Sequence, residues 1–496
     1  MPRRVQTRVA AALAAVVVAV AVFHIALAPD SPPGFIRDEA AFAVNAATLS
    51  RSLEDQDGAR APLFFTSFAD WKPPVYPYAL AAVFRATGPD EDVARGVATA
   101  AVLAALLLLG LLAWRLTGSE LVTAISLALA GTTPWLFELG RVALDIALTP
   151  VVVLALLVAV EWARRSPREP ILRGVPVGLA LGLLAYTYAA GRLLAPLYAL
   201  ALIAFVSRPG LRFLASAWTT LAVALLPMAF YAERHPGALT ARYEATRFPE
   251  QPSALASVGH GLANYVRDLN VWRWVRDGDP SPYIHVAGTG QLYAATVVLA
   301  VAGVVVLVRG RRLDAWWVYV LAVLLLTPVP AALTEDRLHS TRLAPVPAIL
   351  AVVAIPGLAA LVEAARRVRW AQIAAAALVL VTVLQLARFV DVYAERGRSS
   401  RLALFEADVP TLLERAFARE GPVYVDYDDR AALTHAQWYA VAHGLPFERV
   451  VRLSDGAIAP TGATVFGRVQ ACDYVCRRIA SADTYWVAEA VGPKPA

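Results

Sequence analysis

The 496-residue chain is poor in charge, in lysine and in sulfur. Only 17% of its residues are charged, against about 25% in a typical soluble domain. With 58% hydrophobic residues and a mean hydropathy of +0.55, that shortage excludes a soluble enzyme, a disordered chain and a fibre. Strand-like alternation is missing as well. The apolar residues run in continuous blocks of about 20, which excludes a β-barrel and suits helices crossing a hydrocarbon core of roughly 30 Å. The two cysteines, Cys472 and Cys476, match neither a zinc site nor a CxxC redox pair. In an oxidising space a tight disulfide between them and a pair of thiols are both open readings. Lysine occurs only at Lys72 and Lys494, so nearly all of the basic charge is arginine. The net charge is +6, but no RNA or DNA motif accompanies it, and no nucleic-acid partner is expected.

Eleven apolar runs are present, near residues 9–28, 93–114, 120–138, 143–162, 174–190, 192–207, 213–231, 291–308, 314–332, 345–364 and 370–390. The first reads as a retained anchor rather than a cleaved signal peptide, although Ala26-Leu27-Ala28 resembles a cleavage site. Alternate linkers are short and rich in arginine, as at Arg164, Arg165, Arg168 and Arg173, or Arg366, Arg367 and Arg369. The positive-inside rule assigns these linkers and the N-terminus to the cytoplasm. An odd number of helices then puts the C-terminus outside the bacterial cytoplasmic (inner) membrane. The long connections, 29–92 and 232–290, fall on the outer side, with a short one near 333–344.

The expected fold is a polytopic α-helical membrane protein with about 11 transmembrane helices, large outer loops and a small C-terminal extracytoplasmic α/β domain. The membrane part covers residues 1–390 and the outer domain 391–496. Within the latter, 423–426 reads as a strand and 431–443 as a helix. No two-halves repeat of the transporter kind is visible.

Charges at membrane depth are costly and therefore point to function. Here they gather at outer helix ends. Asp38-Glu39 follows the first helix. Asp38 suits a general base meeting a hydroxyl at the membrane surface, and helix capping is the plainer reading of the pair. Asp70-Trp71-Lys72-Pro73-Pro74 holds Lys72 in extended backbone, because the residue before proline avoids the helical region. An ammonium there suits a lipid-linked phosphate; snorkelling is the alternative. Pro134-Trp135 leads to Arg141 and Asp145, four residues apart, either an ion pair sealing a helix end or a second carboxylate facing the cavity of Asp38. Tyr186-Thr187-Tyr188 precedes Arg192, a candidate for an anionic ligand. His285 closes the second outer loop, and Leu333-Thr334 leads to His339 and Arg342 between prolines that break the neighbouring helices. The His, Asp and Glu spacing matches no standard metal motif.

Taken in order, these motifs resemble the bacterial lipid-carrier-dependent glycosyltransferases of the GT-C superfamily, which include the aminoarabinose transferase of lipid A and the protein O-mannosyltransferases. The likeness runs over about residues 30–365 and leaves the C-terminal domain aside. It implies that a sugar leaves a polyprenyl phosphate and joins a lipid, polysaccharide or protein acceptor on the outer face, with inversion. It implies Asp38 as general base, with Glu39 and Asp145 as the other catalytic acids. Lys72, Arg192 and Arg342 would meet the donor phosphate, and Arg141, Tyr188 and His339 the substrates; His285, a further substrate-binding candidate by its place at the end of the outer loop, has no firm counterpart in the family. A divalent cation is a possible cofactor, which Asp145 would help to hold if one is used. A lipid-linked glycan flippase or other transporter would place its charges near the midplane of the bilayer, in broken helices. A non-catalytic envelope-assembly scaffold would not need an acid–base set at all. The enzyme reading requires Asp38, Lys72 and Asp145 to converge.

Overall fold

The computed structural model describes all residues except 1–2, 69, 167, 250–252, 336–339, 456, 469–474 and 493–496; for 3–12, 208–209 and 475 only the backbone is described. The chain divides into two compact units, one of residues 1–29 and 98–394, the other of residues 30–97 and 395–496.

The first unit is helical. Each expected apolar run falls on a helix: Arg3–Ala26, Glu91–Thr117, Glu120–Gly131, Thr149–Arg165, Pro170–Thr187, Gly191–Ala201, Arg208–Arg234, Ala294–Arg309, Ala315–Leu326, Val346–Ala365 and Arg369–Arg396. Among the described residues, seven of these segments are long and apolar enough to cross a membrane, and four more apolar helices are shorter. The fold is that of a polytopic membrane protein. The arginine-rich linkers are closed by ordinary N-caps: the Ser119, Ser207 and Asp314 side chains accept from the N–H groups of Val122, Gly210 and Trp317, which satisfies donors that the first helical turn leaves open. Buried Glu161 pairs with Arg164 and Arg165, and Arg164 also reaches Asp314.

With apolar lipid as the solvent, helix association depends on close packing more than on hydrophobic expulsion. Pro170–Thr187 and Arg208–Arg234 meet along Gly174, Gly178 and Gly182, spaced by four. A Cβ at Gly174 would come within 2.6 Å of the Phe213 carbonyl, and one at Gly178 within 2.5 Å of the Ala217 carbonyl. Arg208–Arg234 also contains Pro227, where the ladder breaks. The Tyr186 hydroxyl enters the break, donating to the Ala224 carbonyl at 2.9 Å and accepting from the Met228 N–H at 3.1 Å. The polar groups that proline separates thus stay paired inside the apolar layer.

The second unit joins the first long connection to the C-terminal segment. Residues 30–97 supply the helix Arg37–Ser52, an antiparallel hairpin of β1 (Phe65–Ser67) and β2 (Asp70–Lys72), and the helix Val75–Thr87. Residues 395–496 supply the helices Val409–Phe417 and Arg430–Ala442 and a sheet of β3 (Val423–Val425), β4 (Val450–Arg452), β5 (Thr464–Arg468), β6 (Val475–Ser481) and β7 (Tyr485–Gly492). Its strand order is β4-β3-β5-β7-β6. β3 runs parallel to both neighbours, and the β5–β7 and β7–β6 pairs are antiparallel. β3 and Arg430–Ala442 are the strand and helix expected there. Cys476 is disulfide-bonded; Cys472 lies outside the described residues.

The two segments of this unit are locked by polar contacts in an apolar setting. Glu406 accepts from the Arg37 N–H at 2.9 Å and the Tyr485 hydroxyl at 2.9 Å, and its other contact is His435 Nε2 at 2.7 Å. Burial raises the Glu406 pKa, but His435, Tyr485 and the Arg37 N–H outweigh it and hold the carboxyl below the ordinary glutamate value. Trp438 donates to Glu91 at 3.0 Å and lies against Phe35 and Phe84. Buried Arg401 donates to the Ser31 hydroxyl at 2.7 Å.

Replacing Gly178 by leucine drives a branched side chain into the backbone of Arg208–Arg234. The variant should lose about 1–3 kcal/mol, the usual range for overpacking. The check is a thermal unfolding midpoint in detergent, expected to fall well below that of Gly178→Ala.

Candidate functional site

The helix Arg37–Ser52 starts with the acidic pair. Successive helical residues point about 100° apart, so Asp38 and Glu39 serve different surroundings. Glu39 is fully buried. Its carboxylate receives Arg95 in a two-pronged contact, Nε to Oε1 at 3.0 Å and Nη2 to Oε2 at 3.0 Å. It also accepts from the Ile36 N–H at 3.2 Å, which closes the N-terminus of the helix. Arg95 donates further to the Pro32 and Gly34 carbonyls. Glu39 is therefore engaged in holding the turn from which the helix begins.

Asp38 points instead to the hairpin. The β1–β2 register sets Phe65 opposite Lys72 and Ser67 opposite Asp70. Lys72, at the end of β2, reaches Asp38 Oδ1 at 3.0 Å and Asp70 Oδ2 at 3.5 Å, with its ammonium 5.6 Å from the centre of the Phe42 ring. The Lys72 side chain is 13% exposed and that of Asp38 25%. The pair is partly screened from solvent and still accessible. Two residues 34 positions apart, one suited to accept a proton and one to meet a phosphate, come into direct contact.

In the helical unit a second polar set forms around Tyr188. Its hydroxyl shares a hydrogen bond with Thr341, and it feels the charges of Arg342, Asp145 and Arg242. Asp145 opens the short 3-10 turn Asp145–Leu148 ahead of Thr149–Arg165 and is buried. Buried Arg342 donates to the Thr334 hydroxyl at 2.9 Å. Arg192, in the first turn of Gly191–Ala201, donates to the Leu239 carbonyl at 2.8 Å.

Two other expected residues hold backbone. The Arg141 guanidinium meets the carbonyls of His24, Ala28 and Pro29 at 3.3, 2.7 and 3.0 Å and thereby caps the end of Arg3–Ala26, where a cation is favoured. Buried His285 lies between the Asp279 and Thr289 carbonyls at 2.6 and 2.9 Å and fills the space beside Gly278 (φ +69°), where any Cβ would collide with its ring. His339 lies outside the described residues.

Sequence reasoning missed Arg95, Arg242, Thr341 and Asp279. Asp279 accepts from both the N–H and the hydroxyl of Ser340, and burial raises its pKa above the ordinary aspartate value against these bonds. The partners in these contacts stand 56 to 61 positions apart in the cases of Arg95 and Asp279, so no local pattern announces them. Among the described residues, no group of three or more His, Cys, Asp or Glu side chains converges on a metal position.

Arg95→Leu should leave a fully buried carboxylate without its counter-ion, a change that costs on the order of 3–5 kcal/mol. Limited proteolysis should then find residues 30–97 opened in Arg95→Leu, whereas Arg85→Leu on the exposed side of Val75–Thr87 should leave the cleavage pattern unchanged.

The sequence matches no protein-family model and no curated protein. Its fold does match solved structures. ArnT from Cupriavidus metallidurans bound to undecaprenyl phosphate aligns over 97% of this chain and 98% of its own, at TM-score 0.58 and 14% identity. The apo state of the same protein aligns over 99% and 100%, also at 0.58 and 14%. The Archaeoglobus fulgidus oligosaccharyltransferase, in a complex with Zn and sulfate, aligns over 87% of this chain and 62% of its own, at 0.51 and 13%. The chain thus shares its fold with these solved structures.

Proposed function

We propose that this protein is an integral membrane glycosyltransferase, moving a hexosyl or pentosyl group from a polyprenyl-phosphate carrier to an acceptor on the outer face of the cytoplasmic membrane. The observation that carries this reading is the 3.0 Å contact between Asp38 and Lys72, made in a chain that shares its fold, end to end, with a protein bound to undecaprenyl phosphate. A lipid, polysaccharide or protein acceptor fits the reading equally.

The chemistry follows from the residue types. The Asp38 carboxylate takes the proton from the acceptor nucleophile, whose lone pair forms the new bond to the anomeric carbon. The bond from that carbon to the carrier phosphate oxygen breaks, and its electron pair leaves on the phosphate. Attack from the face opposite the leaving group inverts the centre. Lys72 stabilises the charge that grows on the phosphate, a role in which one well-placed donor commonly contributes several kcal/mol. Arg192 and Arg342 keep the donor-phosphate role that the resemblance implies. Asp145 and Tyr188 are assigned to the hydroxyls of sugar or acceptor. Glu39, Arg141 and His285 act through the backbone that they hold. His339 keeps the substrate-binding role that the resemblance implies. With the arginine-rich linkers in the cytoplasm, residues 391–496 form the extracytoplasmic C-terminal domain.

Two substitutions test the assignment, in a transfer assay with purified protein in lipid and a panel of polyprenyl-phosphate sugars. Asp38→Asn keeps the size of the side chain and removes the base; transfer should fall by about 10²–10⁴-fold, the range for a lost general base, with an unchanged unfolding midpoint. Turnover within a few-fold of the wild type would remove Asp38 from the role. Lys72→Ala should weaken use of the lipid donor, with kcat down about 10²–10³-fold as for a lost electrostatic donor, while the KM for the acceptor stays put. An effect on the acceptor alone would reassign Lys72.

A further inference from the structure

The connection between the helices Arg208–Arg234 and Ala294–Arg309 contains the helix Ala254–Asp268, and this helix is inside out for a water-facing surface. Leu255 is 82% exposed, Val258 67%, Leu262 60% and Val266 60%. The spacing of three, four and four places them on one stripe. Gly259 and Ala263 are the exposed residues between them, so the stripe carries no charge. The polar side chains face the protein. Buried Asn264 donates to the Ala332 and Thr334 carbonyls at 3.3 and 3.2 Å, and Asp268 is buried too. A helix facing water would show the opposite pattern.

We infer that Ala254–Asp268 is an interfacial helix, lying in the plane of the membrane surface with its Leu255–Val258–Leu262–Val266 face among lipid chains. Three observations select lipid as the occupant. The Tyr265 hydroxyl donates to the Leu325 carbonyl at 2.7 Å, and Leu325, 51% exposed, belongs to the candidate membrane span Ala315–Ala332. The exposed stripe therefore lies beside a surface that already faces lipid. Both ends of the connection lead into apolar helices, which hold it at the membrane. Just beyond the helix, Trp272 is 64% exposed and Arg273 and Arg276 are exposed, the aromatic and cationic flanks that settle at headgroup level.

The test uses the full-length protein in lipid nanodiscs, with a nitroxide at Leu262→Cys and, independently, at Val258→Cys. Unsubstituted protein carried through the same labelling gives the background. Collision rates with oxygen, which concentrates in lipid, and with a water-soluble nickel chelate are compared with Val301→Cys on the exposed face of Ala294–Arg309 and Glu420→Cys on the C-terminal segment. Both helix positions should favour oxygen over nickel, as Val301→Cys does and in the opposite sense to Glu420→Cys. Nickel access like that of Glu420→Cys would overturn the inference. So would protection from both reagents, which would mean a protein partner or a second copy covering the stripe. The readout needs no transfer activity, so it stands or falls apart from the proposed reaction.

Discussion

The contact on which the candidate site depends is the double hydrogen bond from Arg95 to buried Glu39. A carboxylate removed from water is tolerated only when its charge and its lone pairs are matched. Here the match also includes the backbone N–H at the start of Arg37–Ser52. That fixes where the helix begins and how it is turned, and so directs Asp38, one residue earlier, toward the hairpin. Lys72 arrives from the other side, its reach set by the β1–β2 register and by the prolines that follow it. The adjacent acids thus face different surroundings, Glu39 holding the start of the helix with Arg95 and Asp38 meeting Lys72, separated by about 100° of helical rotation.

The helical unit solves a different problem. Its helices gain little from expelling apolar surface into apolar lipid, so they rely on close approach and on leaving no backbone group unpaired. The glycines at 174, 178 and 182 allow the first. The Tyr186 hydroxyl at Pro227, the Arg141 guanidinium on the carbonyls of His24, Ala28 and Pro29, and the Asn264 amide on those of Ala332 and Thr334 achieve the second. These polar side chains stitch helix ends and breaks, and several of them look functional when the sequence is read alone. Tyr188, Asp145, Thr341 and Arg342 differ in kind: they form a cluster of side chains rather than a backbone clasp.

The long, unbroken apolar runs determined the fold class by themselves, because in lipid only a helix satisfies its own backbone over such a length. Each of those runs falls on a helix, and among the described residues seven of the segments are long enough to span; the order of motifs along the chain pointed to the fold that it shares with ArnT. Local chemistry also marked Asp38, Lys72, Asp145, Tyr188, Arg192 and Arg342, since a charged or phenolic group at a membrane edge stands out against alanine, leucine and valine. What only the tertiary structure decided was which of these meet. Pairing Lys72 with Asp38 required a hairpin register, and pairing Glu39 with Arg95 required a helix to return 56 residues later. Separating Arg141 and His285, which hold backbone, from Arg342, which sits with Tyr188, required knowing which carbonyls lie within hydrogen-bond reach. Sequence spacing reports neighbours along one helix or strand; contacts between elements depend on packing, and packing carries no local signature.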